Sequence, residues 1–490
     1  MTAQDPEVDG VEDVLALFGR QPDAGPGDRS GADSHHGSGH SSAPVKPEGR
    51  GRHHATPWAD ARAIAARSGR TAATAPKTST TPKTPTATTT RTRRVPLEQA
   101  LGHVLAEPLT ALTDLPSFDT SAMDGWAVSG PGPWSLGPAD PDALDPDDPA
   151  PAAPTTGILA GHAATTPLPD GTAVRIATGA RVPPDTTAVI RSEHARTDTT
   201  GHLHADREVT HGQDIRPRAQ ECRSGDQLLP AGAVVTPAVL GLAAAAGYDE
   251  LLTARRPTVD ILVLGDELLV RGMPHDGLIR DALGPMIAPW LRALGAEVID
   301  TRRVADDERA LYRAVTESEA DLVLTTGGTA GGPVDHVHPV LSKAGAELLV
   351  DGVAVRPGHP MLLARLASGR HLVGLPGNPL AAVSGLLTLA EPLLRALGGR
   401  APAPAYHAPV RDEVHGHPQD TRLVPFVHRD DRLVPLRYNG PAMLRGIAVA
   451  DGLAVVPPGG ARPGDELEVL DLPWAAWGDA AASMDDGCFT

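Results

Sequence analysis

Lysine is nearly missing from this chain: four occur (Lys46, Lys77, Lys83 and Lys343) among 43 basic residues, so arginine does almost all the cationic work. Aromatic residues make up 3%, which leaves aliphatics and alanine to form the cores. Two cysteines, Cys222 and Cys488, are too few for a metal cage and suggest no disulfide framework. The first ten residues are acidic and polar, without the apolar segment of a signal peptide. No window reads as a membrane span, because Gly, Pro or charge interrupts the longest apolar stretches. A net charge of −18 argues against non-specific binding to nucleic acid or membrane surfaces. A soluble, cytoplasmic protein with neither nucleic acid nor membrane as partner is the expectation. Anionic ligands stay allowed, since a metal ion can sit between acidic side chains and a phosphate.

What is present is 41% apolar residues, enough for real cores, spread over 490 residues and punctuated by 52 Gly and 49 Pro. Residues 1–55 form a Gly/Ser/His/Asp/Pro extension expected to be disordered, with one helical turn at Val11–Phe18. Its histidines at 35, 36, 40, 53 and 54 read as solvated low-complexity sequence rather than a metal site. Thr56-Pro57 has the form of an N-cap and N1 pair, predicting a helix from Trp58. A Thr/Pro/Ala linker follows, and Val95–Ala106 reads as another helix. Pro131–Pro154 is an acidic, proline-rich surface insertion.

From Pro257 the pattern changes. Strand-like runs at Val259–Leu264, Glu297–Val304, Leu322–Leu324 and His371–Leu375 alternate with helical stretches ending at Leu294, Ser318, Ala344 and Leu397. Such alternation predicts a parallel α/β sheet, whose ligands bind beyond the carboxyl ends of the strands. Short alternating runs beyond Gly398 predict a small β-barrel or sandwich.

The strand ends carry the chemistry. They read Gly265-Asp266-Glu267, then Asp306-Asp307, then Thr325–Asp335 (TTGGTAGGPVD), with VRPGHP (355–360) and LPGNP (375–379) beyond. A lone acidic residue after a strand ordinarily caps the next helix. Several loops converging on one sheet edge point instead to a site. Glu267, Asp306 and Asp335 suit Mg²⁺, which takes carboxylates together with water and substrate phosphates. Gly327, Gly328 and Thr329 form a backbone cradle, and Arg356 and His359 suit an oxyanion. Asn378 and Pro379 make a good helix start, with an anion at that terminus as the sharper reading.

The motifs LPSFDTSAMDGWAV (115–128), AVRIATGARVP (173–183), GDEL (265–268) and VADDERAL (304–311) precede TTGGTAGGPVD, VRPGHP and GLPGNP (374–379). In this order the chain resembles the molybdopterin molybdenumtransferase family, of the MoeA and gephyrin E-domain type, from about Pro57 to Leu472. The resemblance implies a multidomain α/β protein. An elongated domain would combine 56–116, including a linker at 69–94, with 222–256. A small β domain bearing SAMDG would span 117–221, a three-layer molybdopterin-binding α/β domain 257–398, and a C-terminal β-barrel 399–475 before a tail at 476–490. It implies a homodimer in which the SAMDG domain of one subunit faces the α/β cleft of the other. It further implies insertion of molybdate into adenylylated molybdopterin with release of AMP, dependent on Mg²⁺, with molybdopterin adenylyltransferase or molybdoenzymes as further partners. Catalytic positions fall on Asp124, Thr178, Glu267, Asp306 and Asp335. Pro376, Gly377, Asn378 and Pro379 join the substrate-binding set, as does Glu221.

Several ligand-loop positions depart from the family pattern. The two lysines of its KPGKP loop are Arg356 and His359, its GED is Ala219-Gln220-Glu221, a serine is Ala330, and an asparagine is Leu283. Two alternative readings stay open: a non-catalytic paralogue that binds molybdopterin or a protein partner, and the adenylyltransferase itself.

Overall fold

Helix α1 (Trp58–Thr74) opens the part of the computed structural model that is described, namely residues 55–74, 92–136, 157–161, 166–330, 335–402 and 404–474. The helical turn and histidines of the N-terminal extension, most of the Thr/Pro linker and the acidic insertion, residues 331–334 and the tail from 476 lie outside these residues. Trp58, Ala61, Ala65 and Gly69 follow one another at helical spacing, which gives α1 a narrow face of mostly small side chains. That face packs on the core of the α/β unit, not on 222–256 as the domain assignment expects. The small residues explain it: a Cβ on Gly69 would lie 2.6 Å from the Leu393 carbonyl oxygen, so α1 approaches the helical stretch at Glu391–Leu397 backbone to backbone.

The segment expected to be a helix from Val95 is instead a strand, Thr92–Pro96, antiparallel to Glu250–Ala254. Only a 3₁₀ turn follows at Leu97–Gln99, and Gly102 at φ +73° ends it, a conformation that glycine adopts without strain. With helix α2 (Pro237–Ala245), capped by the Thr236 hydroxyl, these strands enclose a separate core of Val95, Leu105, Leu109, Val235 and Leu251. The SAMDG motif leads into a six-stranded sheet, whose strands run in chain order from Gly125–Val128 to His202–Ala205, with Gly125 opening the first of them.

The α/β sheet has the order Glu297–Val304, Thr258–Leu264, Leu322–Thr326, His371–Leu375, Leu362–Arg365, Glu347–Asp351. The first four strands are parallel, as the sequence predicts, and the last two are antiparallel. Helices α3 (Leu283–Ala293), α4 (Glu308–Glu317) and α5 (Val337–Lys343) flank it. The last helical stretch runs from α6 (Pro379–Gly385) through a π-helical turn at Leu386–Ala390 into α7 (Glu391–Leu397). Contrary to the sequence expectation, these 19 residues are long and apolar enough to cross a membrane, but 83% of the stretch is buried inside the protein. It is the core helix of the α/β unit.

The C-terminal strands bury both faces. Along Thr421–Arg429, Val424 and Phe426 enter their own core, while Leu423 and Val427 join the α/β core. Two strands from elsewhere extend this sheet: Val353–Arg356 pairs with Thr421–Arg429, and Thr56–Pro57 pairs with Val353–Arg356.

Candidate functional site

The parallel strands end at a cleft of about 530 Å³. Its walls include Glu267 from the first strand end, Asp306 from the second, and Gly327, Gly328 and Asp335 from the third. Gly377, Asn378 and Pro379 close another side. Gly327 and Gly328 have φ +81° and +71°, so the turn needs glycine at both places. The Gly327 N–H donates to the Leu375 carbonyl at 2.8 Å, which ties the glycine loop to the LPGNP loop. Asp266 N–H donates to Asp306 Oδ2 at 3.2 Å, joining the first two strand ends.

Adjacent aspartates divide the work at the second strand end. Asp307 is the N-cap of α4, its carboxylate accepting from the N–H groups of Arg309 at 2.7 Å and Ala310 at 3.1 Å. Asp306 is left facing the cleft. The Ala310 and then Arg309 N–H groups hold the Asp307 carboxyl below its ordinary value of 3.8. Its folded pKa is therefore depressed, so the cap stabilises above the unfolded pKa and is lost as pH falls through the folded one. An Asp307→Asn variant is expected to match wild type below that window and to melt lower at neutral pH, which thermal unfolding across acidic to neutral pH checks.

Other predicted residues fall elsewhere. Thr329 is buried, its methyl packed over Gly374, so the cradle is the two glycines without it. Arg356 donates from Nε to Asp420 at 2.8 Å, and His359 donates from Nδ1 to the Val353 carbonyl at 2.8 Å; neither lines the cleft. Both are drawn to the edge where the C-terminal sheet joins, which a linear motif does not reveal. Asn378 occupies the N-cap position of α6 without a side-chain capping bond. The anion expected at that helix start has a competitor, because the Leu380 and Ala381 N–H groups donate to the Pro441 carbonyl at 2.9 and 3.2 Å. Pro376 is buried and does not line the cleft.

Asp124 and Thr178 come together, with Thr178 N–H donating to Asp124 Oδ1 at 2.8 Å. They flank two paired strands of the six-stranded sheet, Asp124 just before Gly125–Val128 and Thr178 just after Thr172–Ile176, and do not line the cleft. Glu221 is exposed on a loop whose N–H bonds to the Leu115 carbonyl, again away from the cleft. The cleft also gathers residues that no motif announced: Arg280, His336 and Ala442. Ala442 comes from the C-terminal segment, and only the fold brings it there.

Among the described residues no three His, Cys, Asp or Glu side chains close into a metal-binding group. Glu267, Asp306 and Asp335 are hard oxygen donors spaced along a cleft wall, a set suited to Mg²⁺ shared with waters and a phosphate rather than to a protein-only cage. Cavities of about 560 Å³ beside Trp134 and about 650 Å³ between α1, α7 and the C-terminal sheet hold none of these carboxylates.

Three family descriptions match in succession: "MoeA N-terminal region (domain I and II)" at residues 59–247, "Probable molybdopterin binding domain" at 260–396, and "MoeA C-terminal region (domain IV)" at 407–472. A Mycobacterium tuberculosis protein named molybdopterin molybdenumtransferase 2 is 34% identical over 395 residues, covering 77% of this chain and 94% of its own. A Staphylococcus aureus molybdopterin molybdenumtransferase is 32% identical over 308 residues, covering 62% and 71%. The crystal structure of a molybdopterin biosynthesis MoeA protein from Pyrococcus horikoshii aligns with a TM-score of 0.65 at 20% identity, covering 85% of this chain and 99% of that one, and so shares the fold. With one relative matched along nearly its whole length and all three regions present in order, the chain belongs to the MoeA family.

Proposed function

We propose that this protein is a molybdopterin molybdenumtransferase, a soluble enzyme of the cytoplasm that inserts molybdate into adenylylated molybdopterin and releases AMP. The observation that carries this reading is the cleft itself, where three carboxylates from three strand ends face two glycine loops. The glycines let a phosphorylated pterin lie against backbone. Glu267, Asp306 and Asp335 would hold Mg²⁺, which would neutralise charge on the pyrophosphate whose P–O bond is broken. Asp124 and Thr178 complete the site from a second copy of the chain, so the active form is a homodimer.

The purified protein is expected to release AMP from adenylylated molybdopterin only when both Mg²⁺ and molybdate are present. Asp335→Asn should lower that rate by about a hundredfold or more. Release that is equally fast without molybdate, or unaffected by the substitution, counts against the reading. One observation favours the non-catalytic alternative: Arg356 and His359, at the positions of the family's paired lysines, are engaged elsewhere. Failure to restore molybdoenzyme activity in a strain lacking its transferase, at low and at high molybdate, would select that alternative.

A further inference from the structure

The charge in the cleft is one-sided. Five acidic residues line it, Glu267, Asp281, Asp306, Asp307 and Asp335, the carboxylates of Asp281 and Asp307 also accepting from backbone N–H groups at helix starts, against one arginine, Arg280, and His336. A ligand carrying phosphates meets net repulsion there unless cations offset it. A bound metal offsets part of that charge. The arginine of the VRPGHP loop does not contribute, since Arg356 is paired with Asp420 outside the cleft.

Arg280 is placed by an arm that leaves the first strand end and returns before α3. Its two short strands, Leu268–Leu269 and Ile279–Arg280, pair in parallel with Leu269 opposite Arg280. Backbone bonds on either side fix it: Ile279 N–H to the Glu267 carbonyl at 2.9 Å, and Asp281 N–H to the Leu269 carbonyl at 3.0 Å. Arg280 therefore cannot shift without moving the Glu267 loop. Its exposed guanidinium makes one long hydrogen bond, 3.5 Å to the Leu269 carbonyl. A second arginine near this strand end, Arg303, is turned instead to the Gly265 carbonyl at 3.1 Å. A planar fork of donors on a fixed strand at the wall of an acidic cleft matches a phosphate that a metal also contacts.

We propose that Arg280 binds the phosphate part of the substrate, a pyrophosphate-class group, and supplies the cleft with the cation that the VRPGHP loop does not. The assignment rests on the transferase reading of the cleft. Inorganic pyrophosphate with Mg²⁺ is the probe, titrated calorimetrically into the full-length protein. Arg280→Ala is expected to weaken its binding about tenfold or more, with an unchanged melting temperature. Arg280→Lys keeps the charge without the fork and should fall between the two. Arg271→Ala, on the same arm but outside the cleft lining, should bind as wild type does. In the AMP-release assay Arg280→Ala should raise KM more than it lowers kcat. Unchanged pyrophosphate affinity in Arg280→Ala, beside a wild type that binds and turns over, overturns the assignment and leaves the transferase reading standing. A wild type that neither binds pyrophosphate nor releases AMP overturns both.

Discussion

Mixing two variants expected to be inactive, Asp124→Ala and Asp335→Ala, should restore about a quarter of wild-type AMP release once their subunits exchange. The figure follows from the proposed symmetry of the dimer. Random reassortment makes about half of the dimers mixed, and each mixed dimer holds one composite site with both lesions and one with neither. The structural ground is that Asp124, bound by the Thr178 N–H, sits in the bend before the strand Gly125–Val128 and contributes nothing to the cleft wall. Each variant alone should lose about two orders of magnitude or more in rate. Co-expression with two affinity tags, followed by assay of the doubly tagged dimer, gives the cleanest reading. No recovery in that dimer means the two sets of residues do not act across subunits.

Gly69→Val produces the second large effect, on stability. In an exposed helix a glycine replaced by a better helix former stabilises by up to about 1 kcal/mol. Here the sign reverses. A Cβ at position 69 would lie 2.6 Å from the Leu393 carbonyl oxygen and 2.7 Å from the Ala396 Cβ, so α1 must move off α7. Moving it exposes Trp58, which is buried and donates from Nε1 to Thr388 Oγ1 at 3.1 Å, and withdraws Arg62 from the Leu387 carbonyl. Overpacking of this kind costs about 3 kcal/mol. Urea unfolding followed by tryptophan fluorescence measures it, and Gly69→Ala should already destabilise. A Gly69→Ala protein as stable as wild type would mean that α1 does not pack on α7 this closely.

How far the sequence reached depended on the range of the interactions. The parallel strands were legible because each is a short apolar run bounded by turn residues. The strand-end carboxylates and glycines followed, since in this architecture the loop after a strand is the site. Asp306 and Asp307 are indistinguishable in sequence, and only the geometry shows that both line the cleft while the Asp307 carboxylate is the one that caps α4. Helix α1 went astray because its small-residue face says that it packs closely without naming its neighbour. Val95–Ala106 misled because a helical spacing of leucines and valines coincides with a strand, a 3₁₀ turn and a glycine at positive φ. Arg280 and Ala442 were invisible because a parallel pairing across nine intervening residues and a contact from the far end of the chain bring them to the cleft.

The Pro441 carbonyl at the start of α6 gives the C-terminal sheet a role beyond bulk. Two N–H groups of a helix that borders the cleft are satisfied from that segment, and Ala442 beside it forms part of the cleft wall. Ligand occupancy and attachment of the C-terminal unit are thereby thermodynamically linked. Whatever binds the cleft also stabilises the docked C-terminal sheet, and cutting the chain after α7 would open the site as well as remove a domain.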